Sequence, residues 1–257
     1  MAIVSLRGVT KSFRIPSVRR ETVREHVFGL LNPRRFEELR VLDGVDLDVR
    51  AGETLGIMGR NGSGKSTLLK LVSGIYQPDR GTVRIAAAVT PVLELGVGWN
   101  PDLNAVDNIF LIGSVMGLSL AEIRSSIEEI LAFADLERFA NLELRHYSSG
   151  MAARLAYSVA FKAVREILVL DEIFAVGDAG FRARCHQRYR ELSAAGHTVI
   201  LVSHEPYTIA TFCHRAVLLE GGRIAMDDGP ERVSEAYLRL LGGTAPAVPA
   251  PAVPAPA

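Results

Sequence analysis

The 257-residue chain is short of several things, and each shortage narrows what it can be. It has two cysteines, Cys185 and Cys213. They have no ligand-like spacing, which argues against a zinc module or a disulfide framework and fits a reducing cytosol. No apolar run reaches the roughly 18 residues of a membrane span. The N-terminus lacks the basic-then-apolar pattern of a secretory signal. Any membrane role is therefore expected to come through a partner. Excess charge is missing too: 29 Lys and Arg balance 29 Asp and Glu, against a surface built to coat nucleic acid. Long heptad runs are absent, and no Asn-Lys-x-Asp motif is present to read guanine.

What remains is ordinary globular composition, 48% hydrophobic and 23% charged, long enough for one large domain or one domain with an inserted subdomain. The pattern reads as α/β. "IVSLRGVTKSF" alternates as a strand, and "VLDGVDLDV" and "ETLGIMG" are two more, parted by a turn at Ala51-Gly52. "KSTLLKLVSG" reads as a helix closed by Gly74, followed by short strands in "GTVRI" and "AVTPVLEL". "AVDNIFLIGSVMG", "SLAEIRSSIEEILAFADL" and "SGMAARLAYSVAFKAV" then have helical period, the middle one opened by a Ser119/Glu122 capping box. "EILVLDE" and "HTVILVSH" are continuous apolar runs of strand length, suited to a sheet buried on both faces. "DAGFRARCHQRYRELSAAG" is a helix between them, "RAVLLEGGRIAM" a hairpin about Gly221-Gly222, and "PERVSEAYLRLLGG" a last helix.

The densest chemical signal runs from Gly59 through Arg60, Asn61, Gly62, Ser63 and Gly64 to Lys65, Ser66 and Thr67. It fits G-x-x-x-x-G-K-[ST] in full and lies where such a loop must, after an apolar strand and at the start of a helix. Glycines let backbone N–H groups turn toward phosphate oxygens, and the helix N-terminus adds partial positive charge. Lys65 is expected to reach the β- and γ-phosphates and Ser66 to ligate Mg²⁺. "ILVLDE" supplies the acidic half of the site. Asp171 would hold Mg²⁺ through water, and Glu172 would orient or deprotonate the attacking water. The alternative for this pair is a carboxylate that caps the next helix. His204 ends an apolar strand, at the edge where open α/β sheets bind ligands, and is expected to contact the γ-phosphate.

With these residues in place, the sequence resembles the ATP-binding cassette (ABC) ATPases, to about Gly243. The resemblance implies a P-loop fold with a mainly parallel core sheet, an antiparallel β region and an inserted helical subdomain. It puts the family's signature, typically Leu-Ser-Gly-Gly-Gln, at "YSSGM", where Ser148, Ser149, Gly150 and Met151 would act on ATP held by a second copy. Ser149 stands where glycine is usual and is tolerable there only if φ stays negative. Asp178 becomes the D-loop aspartate, Phe13 the aromatic that stacks on adenine, and Glu94 (or a neighbour one residue away) the Q-loop position, with a possible metal contact. "YSSGM", "DEIFAVGDAGF" and "LELGVGWNPDLNAVDNI" look like the subfamily that exports O-antigens, capsules, teichoic acids and related glycans.

The implied organisation is a catalytic core over 1–94 and 165–243, a helical signature subdomain over 95–164 and a Pro/Ala tail over 244–257. The tail is a solvated end or a linker, and no carbohydrate-binding domain is expected from this polypeptide. An insertion over 14–40 carries seven arginines against four glutamates, with Val23, Val27, Leu30 and Leu31 at helical spacing. It reads either as a solvated helix packed on the core or as a contact to the membrane subunit or anionic lipid. The implied partners are a second copy of the chain, forming an ATP-sandwich homodimer, and a polytopic permease at the cytoplasmic face of the cell membrane. ATP and Mg²⁺ are the implied cofactors. Other transport cargo and a non-transport ABC ATPase are the competing readings.

Overall fold

The computed structural model describes residues 2–16, 36–93, 98–171 and 177–242. In chain order the elements are β1 (Ala2–Pro16), β2 (Phe36–Arg50), β3 (Thr54–Met58), α1 (Lys65–Val72), β4 (Arg80–Ile85), β5 (Val89–Val92), α2 (Ala105–Val115), α3 (Leu120–Ala134) and α4 (Ser149–Lys162). There follow β6 (Ile167–Asp171), α5 (Ala179–Ala194), β7 (Thr198–Val202), α6 (Pro206–Phe212), β8 (Arg215–Glu220), β9 (Arg223–Asp228) and α7 (Pro230–Leu240).

The strands form two sheets. One has the order β5-β6-β7-β3-β8-β9, the other β2-β1-β4. In the first, β5 through β8 pair in parallel and β9 closes the edge antiparallel to β8. The three central strands are apolar because both their faces are covered: β3 and β7 are buried at every position, and β6 at every position but Asp171. Pro91 is tolerated in β5 because that strand lies at the edge, where one side of the backbone needs no ladder bonds. The second sheet is antiparallel. From Leu42 to Arg50, β2 alternates buried and accessible residues, so Leu42, Val45, Leu47 and Val49 line its inner face. Together with β3 and α1 they form one apolar cluster, while α5, α6 and α7 cover the opposite face of the parallel sheet with a second.

Helices α2, α3 and α4 gather a third cluster around Ile109, Ile123, Ile130 and Leu155. The Ser119/Glu122 capping box is present, and Asn104 caps α2 by accepting from Asp107 N–H. Helix α4 belongs to two clusters at once. Leu155 and Val159 face the three-helix group, whereas Tyr157, Ala160 and Phe161 face the sheet.

The chain departs from the sequence reading at two places. Residues 14–16 and 36–40 are not part of an inserted helix. They extend the β1–β2 ladder, with Arg14 opposite Glu38, Ile15 opposite Glu37 and Pro16 opposite Phe36. Backbone pairing carries this hairpin beyond its buried portion, so Ile15, Phe36 and Leu39 are exposed and leave no inward/outward alternation to read. The helical spacing of Val23, Val27, Leu30 and Leu31 and the tail over 244–257 lie outside the described residues. The second departure is α6, one short helix with Pro206 in its first turn, too brief to show a period.

A partly buried junction at the start of β3 is expected to make stability depend on pH. The Thr54 backbone N–H donates to His214 Nδ1 at 2.9 Å, which requires that nitrogen to be unprotonated. Burial holds the His214 pKa below its ordinary value. A depressed histidine stabilises the fold above its unfolded pKa of about 6.5, and that stability is lost as pH falls through the lower folded value. Chemical denaturation between pH 7.5 and 5 should therefore show stability falling with pH. In His214→Asn, whose carbonyl can still accept, the fall should be shallower. Equal slopes would remove His214 from this role.

Candidate active site

The site is assembled by strand order. β6, β7 and β3 are adjacent, and the ladder puts Asp171 and Ile57 both opposite Val202. The C-terminal ends of three parallel strands thus lie level, about 4.8 Å apart from neighbour to neighbour. The P-loop leaves β3, Asp171 ends β6 and His204 follows β7. This is the crevice at which open α/β sheets bind ligands. A cavity of about 620 Å³ opens here, bordered by Asn61, Gly62, Gly64, Lys65, Ser66, Thr67, Asp171 and His204 and also by Leu39, Val41 and Leu93.

The loop's shape depends on two glycines. A Cβ at Gly59 would sit 2.3 Å from the Leu219 carbonyl oxygen and 2.6 Å from Ser63 Oγ. Gly64, the N-cap of α1, has φ 106°, and a Cβ there would meet the Val41 carbonyl at 2.9 Å. Lys65 opens α1 and folds back, donating from Nζ to the Gly59 carbonyl at 2.8 Å and to the Arg60 carbonyl at 3.1 Å. The residue is 8% exposed, and its ammonium adds positive charge at the helix N-terminus. Ser63 Oγ is buried and makes no hydrogen bond among the described residues. An orphaned hydroxyl of this kind costs about 1–3 kcal/mol unless something fills its valence. A phosphate chain fits these groups.

The donor set also fits Mg²⁺. Ser66 and Asp171 supply hard oxygen donors to the same cavity, and Mg²⁺ takes few protein ligands and keeps waters and phosphate oxygens. Among the described residues no group of three His, Cys, Asp or Glu side chains gathers to hold a metal by itself.

Phe13 does not border the cavity. It packs edge-on against Tyr76, ring centroids 5.5 Å apart, with the Lys11 ammonium 5.7 Å from its centroid. It does lie directly across the β1–β2 ladder from Leu39, a lining residue. Leu39 fell within the insertion read over 14–40 and Val41 at the start of an ordinary strand, so neither carried a signal for the site. Glu172 and Glu94 lie outside the described residues. Asp171 and Leu93, the residues just before them, both border the cavity.

The signature residues are elsewhere. Ser148 caps α4, its Oγ accepting from Met151 N–H at 3.2 Å. Ser148 and Ser149 are exposed, and none of Ser148, Ser149, Gly150 or Met151 borders the cavity. Ser149 is helical, and the only positive φ at a described non-glycine residue belongs to Asp135. Nothing among the described residues crowds Gly150, where a Cβ would find only Ser148 Oγ, at 3.9 Å. Asp178 caps α5. It accepts from Phe181 N–H at 2.8 Å, and that bond, together with nearby Arg154 and Arg184, lowers its pKa. Arg154, one turn into α4, lies 3.6 Å from Asp178 and 3.8 Å from Asp135, and Asp135 also pairs with Arg184. This network ties α4 to the start of α5 and the end of α3; the resemblance had singled out Asp178, whereas Arg154, Asp135 and Arg184 carried no signal.

A complete P-loop, an acidic strand end and a strand-end histidine in one crevice define a P-loop ATPase. The ABC transporter family model matches residues 42–175. The O-antigen export system ATP-binding protein RfbB of Klebsiella pneumoniae is 37% identical over 84% of this chain and 87% of its own length. The protein of that name from Myxococcus xanthus is 38% identical over 92% of this chain. The chain spans 56% of that relative's length. Among solved structures, a dimeric post-hydrolysis state of the ATP-binding cassette MJ0796 bound to ADP and Pi superposes with a TM-score of 0.71, at 25% identity, covering 88% of this chain and 98% of that one. The chain belongs to the ABC transporter family and is an ATP-hydrolysing subunit.

Lys65→Ala should weaken ATP binding by about 1.5–3 kcal/mol, the worth of a hydrogen bond to a charged group, or roughly ten- to a hundredfold in Kd. Calorimetric titration of the full chain with a non-hydrolysable ATP analogue measures this. An unchanged Kd would count against the P-loop assignment.

Proposed function

We propose that the protein powers export of a cell-surface polysaccharide or lipid-linked glycan, working as a homodimer beneath a polytopic permease at the cytoplasmic face of the membrane. The observation that carries the dimer is the separation of the two halves of the site. Lys65, Ser66, Asp171 and His204 share a cavity, whereas the signature turn stands outside it, exposed, with an uncrowded glycine at its second helical position. Glycine costs a helix about 1 kcal/mol relative to alanine. Nothing among the described residues requires it, so close approach by a ligand from outside is the reading that accounts for it.

In this reading Lys65 holds the β- and γ-phosphates of one ATP, and Phe13, beside Leu39, faces its adenine. Ser66, and Asp171 through water, would hold Mg²⁺, which when bound would neutralise charge on the phosphates. Glu94 serves at the Q-loop position. Glu172 takes the proton of a water attacking the γ-phosphorus, and the bond to the β–γ bridging oxygen breaks, giving ADP and phosphate. His204 donates to a γ-phosphate oxygen. The second copy's Ser148 hydroxyl and Gly150 N–H close from above, with the positive end of that copy's α4. Ser148 Oγ accepts the capping bond and still has its own proton to donate. Loss of the γ-phosphate removes this anchor, and the dimer opens. Asp178, held to Arg154, sits at the D-loop position between the two copies.

The cargo is supported by the names of the relatives and by the resemblance of "YSSGM" and "DEIFAVGDAGF". Membrane association would be indirect, since no helix among the described residues is long and apolar enough to cross a bilayer.

Glu172→Gln should keep ATP binding, lower turnover by roughly 10²–10⁴-fold as expected for loss of a general base, and accumulate an ATP-bound dimer. Turnover assays and light scattering of the full chain with Mg-ATP test both parts, and near-normal turnover or a persistent monomer would overturn them. For the cargo, cells carrying Lys65→Ala should lose a surface glycan, and the wild-type chain should copurify with a polytopic membrane protein.

A further inference from the structure

His204 is held from behind by the last helix of the described chain. Its Nδ1 lies 2.9 Å from the Tyr237 hydroxyl, and the two rings are 6.3 Å apart between centroids. Tyr237 is 4% exposed, and a phenol buried that deeply needs a hydrogen-bond partner for its hydroxyl. One turn earlier on the same face of α7, Ser234 Oγ lies 3.5 Å from the Pro206 carbonyl and 3.7 Å from Met58 Sδ. Met58 is the last residue of β3, immediately before Gly59, and Pro206 begins α6 two residues after His204. One face of α7 therefore packs on both turns that carry the site, the one that opens the P-loop and the one that carries the histidine. Val233 and Tyr237 share an apolar cluster with Met58, Leu201 and Leu218, so this seat is part of the core.

We propose that Tyr237 is a positioning residue for hydrolysis: its hydroxyl donates to His204 Nδ1 and so fixes the tautomer that carries the proton on Nε2. Neutral imidazole has one N–H and one lone pair, and the partner of one nitrogen decides which the other presents. With Nδ1 accepting from Tyr237, the nitrogen left for the cavity carries a proton and can donate to a γ-phosphate oxygen. The opposite tautomer would turn a lone pair toward that oxygen, and the two would repel. The proposal rests on the reading of His204 as a γ-phosphate contact. It adds that α7, which borders none of the cavity, sets the state of the residue that does.

The test is long-range ¹H–¹⁵N correlation of ring-labelled histidine in the full-length chain at pH 8, with His204→Asn to assign the His204 signals. In the wild type, His204 should show a protonated Nε2 and an unprotonated Nδ1. In Tyr237→Phe the signals should move toward a mixture of tautomers. In Ser234→Ala, which leaves the phenol in place, they should not. The same Tyr237→Phe protein should keep its KM for ATP and lose about two- to tenfold in kcat, the worth of one neutral hydrogen bond. An Nδ1–H tautomer in the wild type, or an unchanged tautomer in Tyr237→Phe, would overturn the proposal. Failure of the underlying reading looks different: His204→Asn would hydrolyse ATP at the wild-type rate, whatever the tautomer in the native chain.

Discussion

The active site depends on one constraint: β6, β7 and β3 pair side by side, in parallel, with both faces covered. Their register sets Asp171 level with the end of β3, and puts the P-loop and His204 just beyond that line. A one-residue slip of β6 would turn Asp171 to the other face of the sheet. Such a slip is opposed by apolar side chains on both faces, since Leu168 and Leu170 would exchange clusters with Ile167 and Val169. The polar chemistry is thus aligned by residues that take no part in it.

How far the site could be read from sequence follows from how local each part is. The P-loop is contiguous, and its residue types are dictated by backbone geometry at Gly59 and Gly64, so the motif predicted the loop, the helix after it and the cavity wall. Asp171 and His204 were legible because they end apolar runs of strand length. The Tyr237–His204 and Arg154–Asp178 contacts join residues that are far apart in the chain and become neighbours only when α7 and α5 have packed. No periodicity predicts such pairs. The β1–β2 extension was missed for another reason. Its pairing is made by backbone groups, and residues such as Glu37, Glu38 and Phe36 are exposed there, so the side chains carry no record of it.

The signature turn illustrates a residue choice that the fold of one chain does not explain. At Gly59 a methyl group would collide with the backbone of β8, and at Gly64 the backbone is left-handed. At Gly150 neither reason applies: the residue is helical and a Cβ would have room. Ser149, with its ordinary helical backbone, accommodates the side chain that its counterpart in the family pattern lacks. The two positions, adjacent in sequence, therefore face different constraints. Position 149 need only be helical. Position 150 retains a small residue that helix propensity disfavours, which points to space reserved for something outside the chain.

Helix α4 would give a contact at that turn a route inward. Its first turn carries Ser148 and Gly150, its second carries Arg154, and its later turns are shared between the three-helix cluster and the sheet cluster. Packed interiors transmit displacement because they have few voids to absorb it. A force on the N-terminus of α4 would be felt at Arg154, which bridges Asp178 at the start of α5 and Asp135 at the end of α3. Asp135 holds a left-handed backbone, φ 55°, a conformation that glycine adopts at less cost. The aspartate supplies instead the carboxylate that pairs with both Arg154 and Arg184. These are partly exposed ion pairs, each worth little to global stability. Their placement at the junction of three helix ends suits them to set the relative angle of those helices, and hence the angle at which the signature turn is presented.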